Sequence, residues 1–215
     1  MIAPTIPPTI TPNEQFKRLA SQAQIQRAAA ALEAHGIHVL IAKNGAGAKE
    51  LVFSLIPEGA EVLANQSATL DALGISKHID QSGCFDAVRP KVFALDRNTQ
   101  GDKMRELRVR PAYIVGSVQA VTEDGRVLVA SNSGSQIAAY AAGAGKVIWV
   151  VGAQKIVKDI DEGLRRIEEY SYPLEDARLR AAYGIPSFVS KVLIVNREWP
   201  AGRVTMIIVN EELGY

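Results

Sequence analysis

Three stretches of small, uncharged polar residues follow apolar runs that read as strands: "NQSAT" at 65–69, "GSVQAVTEDG" from 116 to its acidic tip at 123–125, and "SNSGSQ" at 131–136. Where a strand hands over to a helix, such residues leave backbone N–H groups free at the positive end of the helix dipole. A phosphate or carboxylate can then be held without a lysine. The candidate ligand contacts are Asn65, Ser67, Thr69, Gly116, Thr122, Ser133, Gly134, Ser135 and Gln136. Ser67 and Ser133 are equally at home as helix N-caps, and the residue types alone leave both uses open.

Acid–base chemistry has fewer candidates. Glu123 and Asp124 are the carboxylates in these stretches, and Asp124 before Gly125 has the composition of a turn. Glu123 is therefore the candidate general base, with the tip of a tight turn as its other reading. Lys155, in "GAQKIV" after an apolar run, is either an anion ligand at the mouth of the sheet or a solvated lysine. His35, His38 and His78 show neither H-x-x-x-H nor H-E-x-x-H spacing, so no metal site is expected. Cys84 has no base beside it in sequence and reads as a buried or incidental thiol. "NGAGAK" (44–49) falls short of G-x-G-x-x-G, and G-x-x-x-x-G-K-[ST] does not occur, so no cofactor is expected.

To bring such loops to one edge the chain must alternate strands and helices, and it does. "TPNE" predicts a first helix, with Thr11 as cap and Glu14 closing a capping box, that runs to Gly36. "IHVLIA" (37–42) reads as a strand, "GAKELVFSLIP" as a helix, "AEVLA" (60–64) as a strand and "SATLDALG" (67–74) as a short helix. The stretch 75–95 has no clear period, and "GDKMRELRVR" is helical. "AYIVGS" (112–117) and "RVLVA" (126–130) are strands, with an Ala-rich helix over 135–143. "KVIWVVG" (146–152) has the unbroken apolar character of a central strand covered on both faces. Helices follow over 159–171 and from Pro173 through Tyr183. The chain ends in "KVLIVN" and "RVTMIIVN" around "REWPAG", which reads as a hairpin.

Lys and Arg number 24 against 23 Asp and Glu, so no global field draws the chain to nucleic acid or an anionic membrane. A length of 215 residues at 47% hydrophobic content suits one α/β domain over 11–215, preceded by an extended Pro/Thr-rich arm at 1–10. One cysteine, no leader-like N-terminus and no long apolar run predict a cytoplasmic protein.

"GSVQAVTEDGRVLVA", "GSQIAAYAAGAGKVIWVVGAQKIVKDIDEGLRRIEEYSYPLEDARLRAAYGIPS", "NQSATLDALGI" and the ending "VNEELGY" resemble the LUD domain proteins, the lactate-utilization group, over most of residues 20–215. The resemblance implies a mostly parallel sheet flanked by helices, like that of ribose-phosphate isomerase and CoA-transferase domains. It also implies binding of a small anionic organic acid, phosphosugar or acyl thioester at the strand-end loops. The partners it implies are redox protein subunits or a second copy of the chain, with assembly or regulation as the alternative role. Relatives carry an arginine where this chain has Gln136, and a cysteine-bearing segment where it has "YGIPSFVSK".

Overall fold

The computed structural model describes residues 10–215, so the arm expected over 1–10 lies, except for Ile10, outside the described residues. In chain order the strands are β1 (His38–Ala42), β2 (Glu61–Ala64), β3 (Asp86–Ala87), β4 (Tyr113–Gly116), β5 (Ala120–Thr122), β6 (Val127–Ser131), β7 (Lys146–Gly152), β8 (Ile156–Val157), β9 (Lys191–Val195) and β10 (Val204–Val209). The helices are α1 (Gln22–Ala34), α2 (Gly45–Ser54), α3 (Ala68–Ala72), α4 (Ile75–Gln81), α5 (Val88–Phe93), α6 (Gly101–Val109), α7 (Ile160–Arg166) and α8 (Tyr172–Tyr183).

Six strands form a parallel sheet in the order β1-β10-β7-β4-β2-β3. Its side chains alternate between faces, as the period of two requires. On β7, Val147, Trp149 and Val151 join a core with α1, α5 and α6, whereas Ile148 and Val150 join one with α2, α3 and α4. With both faces covered, β7 carries only apolar residues from Val147 to Val151, all of them buried.

A second sheet, β8-β5-β6-β9, packs its inner residues Val121, Val127, Val129 and Val195 into the first of these cores. Its outer residues Ala120 and Leu128 pack with Ile167 at the end of α7. Three readings are corrected here. "AVT" inside the stretch 116–125 is strand β5, paired antiparallel with β6. β9 and β10 make no hairpin: β9 pairs with β6 in the second sheet, and β10 lies between β1 and β7 in the first. The first helix starts ten residues later than Thr11 would have it, because Ser21 and Gln24 supply the capping box. Upstream, Asn13 caps a single 3-10 turn, Glu14–Lys17, and is pinned to Glu169 by its main-chain N–H and its side chain at 2.8 Å each.

The helix read as two pieces around Pro173 is continuous from Ile160 to Tyr183. A π turn at Ile167–Ser171 separates α7 from α8, and Pro173 occupies the first turn of α8. The proline has no N–H to give, and the wider turn ahead of it lets the helix pass that position. The Ala-rich segment likewise closes in a π turn, Ala139–Gly143.

Candidate functional site

At the carboxyl edge of β2 and β4 the two sheets and α8 enclose a cavity of about 530 Å³. All three polar stretches reach it: Asn65, Gln66 and Ser67 after β2, Ser117 and Gln119 after β4, and Ser131, Ser133, Ser135 and Gln136 after β6. The loops after β2 and β4 meet there because neighbouring parallel strands end at the same edge, and the loop after β6 comes from the second sheet packed beside it.

Hydroxyl and amide groups in these loops first satisfy the loops themselves. Ser67 Oγ caps α3 by accepting from the Leu70 N–H at 3.4 Å. Gln136 Oε1 accepts from Ser131 Oγ at 3.0 Å and Ser135 Oγ at 3.2 Å, and its Nε2 donates to the Ala130 carbonyl at 3.3 Å. The Ser133 hydroxyl accepts from the Ser135 N–H at 3.4 Å. Gly134 is not in the wall. It sits at φ 80°, in the left-handed region, with its open side against the stem of Lys191.

Lys155 and Thr69 lie just behind the lining, each 1% exposed. Lys155 Nζ is 3.0 Å from Thr69 Oγ1, Ser117 Oγ and the Tyr215 main-chain oxygen. Thr69 in turn donates to the Leu213 carbonyl at 3.0 Å. Burial pushes the Lys155 ammonium well below its ordinary range, and the Arg166 guanidinium adds to the shift. Neither of the two readings made for Lys155 describes it: it is not solvated, and its nitrogen is already held by three protein groups. Gly116 is also behind the wall, where a Cβ would collide with the Tyr140 hydroxyl.

Thr122 and Glu123 are not at the cavity. Thr122 is buried in the β5–β6 turn, where its hydroxyl donates to Asp124 and accepts from the Arg126 N–H at 2.8 Å. Glu123 faces α1, bonded by Gln24 Nε2 at 2.9 Å and Arg27 Nε at 2.7 Å. Burial works to raise its pKa, but these hydrogen bonds and the charge of Arg27 outweigh it and hold the carboxyl below the ordinary range. The expectation of a general base at Glu123 is therefore corrected by geometry: the turn reading describes the residue, because it is tied to α1 and lines no part of the cavity.

The cavity's charge comes from residues that the sequence reading passed over. Four arginines, Arg89, Arg97, Arg108 and Arg178, line it against two carboxylates, Asp71 and Glu175. Arg178 is held bidentately by Glu175, at 2.7 Å for both contacts, and with the Gln66 amide turned so that its oxygen faces the guanidinium it also donates to that oxygen at 3.0 and 3.3 Å. The Tyr215 hydroxyl donates to the same Glu175 at 2.5 Å. Arg89 is paired with Asp80, Nε to Oδ2 at 2.6 Å. Arg97 and Arg108, among the described residues, have no ion-pair partner. They stand close enough that burial and the charge of Arg97 both lower the pKa of Arg108.

Buried Arg166 braces one wall. It donates to the Gln119 carbonyl, to Ser171 Oγ at 3.0 Å and to the Gln154 carbonyl at 3.3 Å, and lies over the Tyr170 ring at 5.1 Å. Burial brings its pKa down to about 10. Among the described residues no group of three or more His, Cys, Asp or Glu side chains is placed to hold a metal, and no helix is long and apolar enough to cross a membrane.

A sequence profile described as LUD domain matches residues 25–192. A crystal structure of a DUF162 family protein from Deinococcus radiodurans superposes with a TM-score of 0.55 at 13% identity, covering 89% of this chain and 99% of that one. At that identity the likeness shows the fold alone. The beta subunit of eIF2B from Chaetomium thermophilum gives a TM-score of 0.29 at 18% identity, over 65% of this chain and 44% of that one, which carries no argument. No curated protein matches the chain.

Proposed function

The chain belongs to the LUD domain family, and on that footing we propose that it binds a small organic anion in the cavity at the carboxyl edge of its parallel sheet. The classes it suits are an organic acid, a phosphosugar or an acyl thioester. One observation carries the reading: Arg97 and Arg108, two mutually repelling guanidiniums without a carboxylate partner among the described residues, line one cavity together. Like charges that line one concave site, Arg97 exposed and Arg108 half-buried, are stabilised by an anion bound between them. Ser67 and Ser133 add hydroxyls at the loop tips, and Lys155 and Thr69 support Ser117 from behind.

Titration calorimetry with a 2-hydroxy acid, a sugar phosphate and a CoA ester tests this. Saturable heat is expected with at least one class. Silence from all three, with the protein folded, removes the reading.

A second reading, an assembly or regulatory subunit of an organic-acid oxidation system, is favoured by the cavity mouth. Phe93, Tyr183 and Ile185 line it while 71%, 63% and 52% exposed, an apolar rim that a partner surface would cover. Purification from the native cell tests it: recovery as a homo-oligomer, never with a redox protein, removes this role.

A further inference from the structure

We propose that the anion this cavity takes carries an apolar tail, an alkyl or aryl group of several carbons seated against the ends of α5 and α8. Its ligand is then an amphipathic acid rather than a short hydroxy acid or a phosphosugar. The proposal rests on the anion-binding reading above, which supplies the charged head, and adds the tail.

Size is the first argument. A cavity of about 530 Å³ falls within the range of about 300–1,000 Å³ that closes round a ligand of many groups. An acid the size of lactate would leave most of that volume to water.

Wall chemistry is the second. Phe93 is the last residue of α5 and Tyr183 the last of α8; Ile185 and Phe188 follow in the connection to β9, and all four line the cavity while exposed. Arg89 and Phe93 are one turn apart on α5, and Glu175, Leu179 and Tyr183 follow at one-turn intervals on α8. Each helix therefore presents a charged residue to the cavity and then, further along the same stripe, an apolar one. A phosphosugar, with hydroxyls round its ring, would set polar groups against these apolar side chains.

Half-buried Leu179 and Val189 line the cavity too, so the apolar surface does not stop at the rim. A tail reaches all of it, whereas a flat partner surface covers the rim alone. Apolar side chains gathered at one concave site are unfavourable in water, and a tail that covers them is held by the same effect.

The test titrates the full chain by calorimetry with acetate, butyrate, hexanoate and octanoate, each below its micelle-forming concentration, and with inorganic phosphate. Burial of each added CH2 should strengthen binding about twofold or more, so octanoate is expected to bind at least about tenfold more tightly than butyrate. In the Phe93→Ser, Tyr183→Ser double variant, whose replaced side chains are exposed, that gain should shrink at least about threefold. A smaller gain in the unaltered chain, or a smaller reduction in the folded variant, overturns the apolar subsite and leaves the rim to a partner surface. If the variant does not fold, the gain in the unaltered chain decides alone. Phosphate heat beside a flat or silent carboxylate series rejects the tail and leaves the anion site standing. A tail gain without phosphate heat, undiminished in the Arg97→Gln, Arg108→Gln double variant, upholds the apolar subsite and rejects the anion site.

Discussion

Arg97 and Arg108 are where binding and stability pull in opposite directions. Burial and the nearby charge of Arg97 both disfavour the Arg108 guanidinium, so replacing Arg108 should leave stability within about 0.5 kcal/mol, or improve it. The same replacement should weaken anion binding. We predict that Arg108→Gln lowers affinity by roughly tenfold or more, the loss expected for one charge-assisted hydrogen bond, and flattens its salt dependence. Calorimetry at two ionic strengths, with a urea titration, reads both. Little in the sequence could have selected these arginines. Arg89 falls in the stretch without a period, and Arg97 lies in the loop between α5 and α6. Arg108 and Arg178 sit on helices whose inward face is decided by tertiary packing. Ser117 stood inside a stretch already singled out and had no neighbour in sequence to mark it, because its partner Lys155 is 38 residues away.

The turn between β5 and β6 is held to α1 by Glu123, through Arg27 and Gln24. This is a structural joint, and its signature is a stability change without a binding change. Glu123→Gln should cost less than about 1 kcal/mol at neutral pH, since the Arg27 side chain is 56% exposed, and should leave anion affinity as it was. The sign with pH follows from the depressed pKa. The stabilisation is fully present above the ordinary carboxylate value and disappears as pH falls through the lower folded value. Chemical denaturation of both proteins should therefore show a gap at pH 7 that closes in acid. Strands with long runs, β1, β2, β4, β7 and β10, were legible because their apolar residues announce burial. β5 was not, since three residues between Gln119 and an acidic turn look like loop. β9 was assigned the wrong partner because neighbours in sequence need not pair, and the pull of the second sheet is visible only once β6 is in place.

The whole molecule is a layered one: helices α2 to α4, the parallel sheet, a middle layer where α1, α5 and α6 meet the second sheet, and α7 outside that. β10 between β1 and β7 ties the layers together, and Ile208 on it is fully buried in the shared core. Ile208→Ala should cost about 2–5 kcal/mol in equilibrium denaturation. Because the cavity is built from both sheets and α8, that loss should reach it only through unfolding, with affinity unchanged in the folded fraction. The loops after β2 and β4 were readable as one edge from the alternation of strands and helices; that the loop after β6 joins them from a second sheet was not, and neither was the charge of the cavity. The most direct measurement is titration calorimetry of the full chain at low salt with a 2-hydroxy acid, a sugar phosphate and a CoA ester, repeated on the Arg97→Gln, Arg108→Gln double variant. Saturable binding of at least one class at a single site, abolished in a double variant of unchanged melting temperature, is the predicted result. No saturable heat from any class, or heat undiminished in the double variant, would contradict an anion site in this cavity.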